Sequence, residues 1–142
     1  MATVAVSSHG TLLKAGDGGG SEVFTTIAEV NDISFGGLAS ATEEVTSHDS
    51  GGWREYIVTL KEIGEVTFDV NFNAGATQGF AAGIYLDWIN KTKRNFQLVI
   101  PTTSAKTGSF AAFVIAFPFD LPVEGVIRAS ITLQGTGAIT WA

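Results

Sequence analysis

The sequence contains no cysteine, two histidines and three prolines in 142 residues. Without cysteine the chain forms neither a disulfide nor a thiolate metal site, so a hydrophobic core must supply its stability. Because His9 and His48 are the only histidines, a histidine-rich zinc site is excluded, and a mixed site would need carboxylates from loops. We therefore expect no metal ion and no other cofactor.

Charge is also scarce, and its sign is unbalanced. Charged residues make up 15% of the chain, against about 25% in an average protein. Eight basic and fourteen acidic residues give a net charge of -6, a sign that disfavours a stable complex with nucleic acid. Because 45% of the residues are apolar, too few ionic groups remain to cover a monomer's surface, which favours self-assembly.

No hydrophobic run is long enough to cross a bilayer. The longest, residues 110–119, is far shorter than the about 20 residues that a membrane helix needs. The first residues lack the basic and apolar regions of a secretion signal. We expect no membrane insertion by this chain.

Most of the sequence has a period of two between apolar and polar residues, interrupted by glycine. Residues 65–72 alternate strictly, which predicts a strand with one buried and one polar face. Residues 126–134 repeat the pattern, so we expect the two strands to share one solvent-facing surface. Further strands are predicted over residues 22–30, 54–60 and 95–100.

Two segments depart from this alternation. Residues 110–119 are apolar on both faces, so we expect them in the middle of a sheet, covered by the core or by a neighbouring subunit. Pro118 is expected to end this strand or to form a bulge. Over residues 77–91 the apolar period becomes helical. The chain is therefore predicted to be a β-domain with one helix packed on it.

The segment 37–53 is longer than most loops in a small domain, and long loops are functional or disordered. Its β-branched centre at Thr42, Val45 and Thr46, with Trp53 at its exit, argues against plain disorder. We expect a β-arm that becomes ordered on a partner, with Trp53 anchoring its base to the core or to the next subunit.

No set of residues has the arrangement of an active site. Ser47, His48 and Asp49 follow one another in the chain. Adjacent residues cannot form a catalytic triad, because the side chain of the histidine must lie between those of the serine and the aspartate in space. Glu43 and Glu44 would point to opposite faces of an extended arm, unlike the facing carboxylates of a glycosidase. We expect that the protein is not an enzyme.

The order of the segments resembles a known family. The stretch Val45-Thr-Ser-His-Asp-Ser-Gly-Gly-Trp-Arg-Glu55 follows an Ile-Ser-Phe strand and precedes a Gly-Glu-Val-Thr-Phe strand. This order resembles the major tail tube proteins of long-tailed, siphovirus-like phages and related gene transfer agents. The helix, the strand ending at Pro101, the apolar strand and the closing strand of residues 126–137 also fit. The glycine-rich insertion of residues 16–21 departs from the family pattern.

The resemblance implies a single domain over residues 1–142, a β-sandwich or half-barrel with one flanking α-helix. Six copies would close into a ring with a multi-subunit β-barrel, and rings would stack into the tube that conducts genomic DNA to the host cell. The protein would lie in the virion tail after assembly in the host cytoplasm. Its partners would be its own copies and the tape measure, the tail terminator, and the baseplate or distal tail protein.

The resemblance also implies two sets of site residues. The arm that reaches the adjacent ring would comprise Thr42, Glu43, Glu44, Val45, Thr46, Ser47, His48, Asp49 and Trp53. The polar faces of the two alternating strands are candidates for the lumen wall, with Glu65, Asp69, Asn71, Arg128, Ser130 and Gln134. DNA would be a transient passenger there, because like-charge repulsion lets it slide.

Two other functions stay open. A ring-forming secretion-tube protein or a tail-completion protein would share much of this fold. A non-catalytic β-sandwich carbohydrate-binding module would need aromatic residues on one exposed face, whereas Trp53, Trp88 and Trp141 fall in a loop, a helix and the C-terminus.

Overall fold

The computed structural model describes residues 7, 9–17, 20–27, 29–72, 83–102 and 104–142. These residues form ten strands, one α-helix and one 3₁₀ turn. The helix α1 is Ile84–Asn90 and the 3₁₀ turn is His48–Ser50. The strands are β1 (Leu12–Gly16), β2 (Phe24–Thr26), β3 (Val30–Phe35), β4 (Ala39–Glu44), β5 (Tyr56–Glu62), β6 (Glu65–Asn71), β7 (Lys93–Ile100), β8 (Lys106–Ala116), β9 (Phe119–Asp120) and β10 (Arg128–Trp141). The predicted fold class, mainly β with one helix, is confirmed.

Eight of these strands form one antiparallel sheet in the order β2-β1-β7-β8-β10-β6-β3, and β9 pairs with the first part of β10. The central position of β8 agrees with the prediction for the apolar run. This strand ends at Ala116, and Pro118 lies in the break before β9, as expected. β4 and β5 pair with each other and form a separate hairpin.

The core lies on one face of the main sheet. Val66, Phe68 and Val70 of β6 are at most 1% exposed, because the period of two turns every second side chain to the same side. The apolar side chains of β1, β7, β8 and β10 join the same cluster. Each valine, leucine, isoleucine or phenylalanine side chain of the cluster contributes roughly 1.5–3 kcal/mol when it is fully buried.

The sheet curls over this core. The ring centroids of Phe35 on β3 and Phe110 on β8 are 5.3 Å apart in an edge-to-face arrangement, although β6 and β10 separate the two strands in the sheet. Because neighbouring strands lie about 4.8 Å apart, a flat sheet would keep these rings too far apart to touch. The curved sheet is open, since the described residues of β2 and β3 form its two edges.

Helix α1 closes one side of the core through Ile84, which is 1% exposed. The carboxylate of Asp87, also buried, accepts hydrogen bonds from Nε and, at 2.8 Å, from Nη2 of Arg94 on β7. Nη1 of Arg94 donates to the carbonyl oxygen of Gly16 at 2.6 Å. The hydrogen bond that Arg94 donates to Asp87 raises the pKa of Arg94, although burial opposes this effect. Arg94 therefore ties α1, β7 and β1 together.

Several element boundaries differ from the sequence expectation. Within residues 22–30, Phe24–Thr26 form β2 and Val30 begins β3, and Glu29 takes a left-handed conformation with φ 55° just before β3. The closing strand begins at Arg128, two residues later than predicted, and runs on to Trp141, with its irregularity near Gly137, where φ is 78°. Of the predicted helix 77–91, residues 77–82 lie outside the described residues. Within the described part of the chain, no helix is long and apolar enough to cross a membrane.

Candidate assembly surfaces

The β4–β5 hairpin extends away from the main sheet. Every residue in both of its strands is exposed. A cleft of about 790 Å³ separates the root of the hairpin from the last part of β10. The protruding element therefore includes both strands, Ala39 to Glu62, and is longer than the predicted arm over residues 37–53.

The two strands of the hairpin differ in chemistry. β5 carries Tyr56, Ile57 and Leu60, which are 54%, 51% and 77% exposed, whereas β4 carries Glu43 and Glu44. The pairing sets Glu43 opposite Ile57 and Glu44 opposite Tyr56. Because opposite residues of an antiparallel pair share a face, each face of the hairpin has an acidic side and an apolar side.

Hydrogen bonds within the chain fix the tip of the hairpin. The backbone N–H of Ser47 donates to Ser50 Oγ at 3.0 Å, and Ser50 Oγ donates to Glu55 Oε2 at 2.9 Å. The backbone N–H of Glu55 donates to Thr46 Oγ1 at 2.9 Å. Trp53 is 79% exposed, so its ring is not part of the core of its own chain.

The six candidate lumen residues lie on one face of two neighbouring strands. The β6–β10 register pairs Glu65 with Gln134, Asp69 with Ser130, and Asn71 with Arg128. Ser130 Oγ donates a hydrogen bond to Asp69 Oδ1 at 2.6 Å. The expectation that the two strands share one polar surface is therefore confirmed, whereas the orientation of that surface in an assembly stays a prediction.

The same face becomes apolar on the next strand. Phe113 of β8 lies opposite Gln134 on one side and Lys93 on the other. Phe113 and Ile115 are 36% and 45% exposed. The sequence predicted that this strand is covered by the core or by a neighbouring subunit. It did not show that Phe113 and Ile115 continue the polar face of β10.

The remaining candidate groups do not converge within the described residues. No group of three or more histidine, cysteine or acidic side chains is arranged to hold a metal ion in that part of the chain. Trp53, Trp88 and Trp141 lie on the hairpin, on α1 and at the end of β10, so they do not form one aromatic platform.

An open antiparallel sheet with a fully exposed, partly apolar hairpin is typical of a structural protein that assembles with further chains. The family model of phage tail tube proteins matches residues 5–141. The chain belongs to this family of virion structural proteins. No individual curated protein matches the chain significantly.

Solved tail structures share the fold. The tail of an empty gene transfer agent particle, refined with C6 symmetry, superposes with a TM-score of 0.72 at 22% identity, covering 92% of this chain and 94% of that one. The virion of a native gene transfer agent gives a TM-score of 0.74 at 19% identity, with 97% and 99% covered. The SPP1 tail tube gives 0.68 at 14% identity, with 96% and 78% covered.

Proposed function

We propose that this tail tube protein closes into hexameric rings, and that these rings stack into a hollow tube that conducts genomic DNA to the host cell. The exposed hairpin is the observation that carries the proposal. Both of its strands are solvent-exposed in the single chain, yet β5 is rich in large apolar side chains. A surface of this kind is stabilised when another subunit covers it.

Ring closure would use the edges of the main sheet. The sheet ends at β2 and β3, and unpaired edge strands promote uncontrolled association unless they are covered. Pairing with neighbours around a ring removes both edges from each subunit.

Stacking would use the hairpin as the arm between rings. The predicted arm residues lie on β4 and at the hydrogen-bonded tip. Because the ring of Trp53 is largely exposed, we propose that it packs against the next subunit and not against the core of its own chain. The apolar residues of β5 extend the predicted arm toward the root.

The polar face shared by β6 and β10 would form part of the lumen wall. It presents Glu65 and Asp69 together with neutral polar groups and Arg128. The chain as a whole has a net charge of -6. Such a wall repels the phosphate backbone weakly, so DNA passes without being bound.

The remaining parts of the proposal concern partners and location. The tube would end on other tail proteins, namely the terminator and the baseplate or distal tail protein, and would enclose the tape measure. The subunit would be made and assembled in the host cytoplasm and would act without catalysis, cofactor or membrane insertion.

Negative-stain electron microscopy of the purified chain over a concentration series tests this proposal. We expect six-fold rings at low concentration and hollow tubes at high concentration. A protein that stays monomeric at every concentration would contradict the proposal.

A further inference from the structure

The β9–β10 loop, residues 121–127, is an exposed apolar surface that the functions assigned above do not use. Leu121 is 68% exposed and Val123 is 104% exposed, so the side chain of Val123 touches little of its own chain. Val126 and Ile127 are 52% and 43% exposed. Glu124 is the loop's one charged residue. Clustered exposed apolar residues of this kind mark a contact surface.

This loop and the hairpin lie at opposite ends of the same strand pair. At the hairpin root, the N–H of Gly135 donates to the carbonyl of Gly64 at 2.8 Å. At the other end, the N–H of Phe72 donates to the carbonyl of Ile127 at 2.8 Å. Between these bonds runs β6, seven residues long, which spans about 23 Å at roughly 3.3 Å per residue.

We propose that the β9–β10 loop is the surface that receives the β4–β5 hairpin of the next copy in the stack. The proposal rests on the proposed function, because it names the receiving half of the contact between rings. A contact between two different surfaces at opposite ends of a subunit repeats from copy to copy and produces an open stack when the rotation between copies does not close a ring.

The dimensions and chemistry of the hairpin fit this role. β5 has seven residues, so it is about as long as β6 and can reach past the end of its own sheet. Its exposed Tyr56, Ile57, Val58 and Leu60 match the apolar side chains of the loop. The apolar surfaces of the hairpin and of the loop are both exposed to solvent in the single chain, and this one contact would cover both of them.

The charges predict how salt affects the contact. The hairpin, residues 39–62, holds five acidic and two basic residues, a net charge of -3. The loop carries Glu124 as its one charged residue, and the flanking residues Asp120 and Arg128, which lie opposite each other in the β9–β10 ladder, have opposite charges. The contact is therefore apolar with weak like-charge repulsion, so added salt should promote stacking by screening the repulsion.

Chemical cross-linking tests the contact directly. Because the natural sequence contains no cysteine, a thiol-specific reagent reacts only with the introduced cysteines. A double variant, V58C with V123C, would be treated with a short bis-maleimide under conditions in which the wild-type chain forms tubes. We expect a ladder of dimers, trimers and longer chains. Each single variant should give no cross-linked product, because the hairpin does not contact another hairpin and the loop does not contact another loop.

Two results would overturn the inference while leaving the proposed function intact. One is a double variant that forms tubes but gives no ladder. The other is a single variant that cross-links to dimers as efficiently as the double variant does. Failure of the wild-type chain to form rings or tubes would instead overturn the proposed function, and this inference with it.

A substitution provides an independent measurement. V123D places a carboxylate in the apolar contact, so we expect rings to persist while the concentration needed for tubes rises about tenfold or more. I89D is the matched control, since Ile89 is also exposed, at 52%, but lies on α1, which neither the ring contact nor the stacking contact uses. Equal tube formation by V123D and I89D would contradict the inference.

Discussion

Gly37 and Gly64 cross at the root of the hairpin with no room for a side chain on either. A Cβ atom added to Gly37 would lie 2.5 Å from the carbonyl oxygen of Ile63, and one added to Gly64 would lie 2.7 Å from the Cα of Gly37. Gly64 also has φ 73°, a conformation that favours glycine. The chain therefore leaves and re-enters the main sheet through one narrow backbone crossing.

Alanine at this crossing should destabilise the fold. We expect G64A to lower the free energy of unfolding by about 2–4 kcal/mol, because it adds both a backbone clash and a strained φ. Denaturant unfolding followed by circular dichroism measures the change. G20A is the control, because a Cβ there meets nothing within 4 Å, and its effect should stay within about 0.5 kcal/mol. Equal stability of the two variants would show that the crossing is not tight.

The ion pair between Asp87 and Arg94 gives a second prediction. R94M should lower the free energy of unfolding by about 2–3 kcal/mol, since it leaves the buried carboxylate of Asp87 without its partner. Adding D87N should recover part of the loss, because the uncompensated charge is then removed. R54M, at an exposed position on the hairpin, serves as the control. A double variant less stable than R94M alone would argue against this role of the pair.

Removal of the hairpin should separate folding from assembly. Ala39 and Glu62 are direct partners in the β4–β5 ladder, so a two-residue Asn-Gly turn can replace residues 40–61. We expect a chain that keeps its cooperative unfolding transition, because every replaced strand residue is exposed. Electron microscopy should show no tubes. The smaller deletion of residues 40–51 should also remove stacking. Long tubes from either shortened chain would refute the arm assignment.

The polar face can be tested by labelling an introduced cysteine. N71C should react with a small maleimide both as a single subunit and in tubes. A large polyethylene-glycol maleimide should label the subunit but not the tube, because the lumen excludes it. Protection from both reagents in the tube would place Asn71 between subunits, and reaction with both would place it outside. Either outcome would contradict the lumen assignment.

The sequence predicted the strands whose pattern is local. β6 and β10 were predictable because their apolar residues alternate with polar ones and one face is buried in the same chain. Their similar polar faces predicted one shared surface, and the register that pairs Asp69 with Ser130 agrees with it.

The hairpin and the continuation of the polar face were harder to predict. Residues 56–60 of β5 have the composition of a buried strand but are exposed, and a local pattern does not show whether an apolar strand is covered by its own core or by another subunit. The proximity of Phe113 to Gln134 depends on a pairing between distant segments. Residues 121–125 of the exposed loop are too few for any periodicity, and residues 126–127 follow the alternation of the predicted strand although β10 begins only at Arg128.

A helical reconstruction of tubes grown from the purified chain tests the central claim most directly. The account predicts six subunits per ring and a β4–β5 hairpin that crosses to the β9–β10 loop of the next ring, with Asp69 and Arg128 facing the channel. A tube in which the hairpin packs only on its own subunit, with the face of Asp69 buried between subunits, would contradict it.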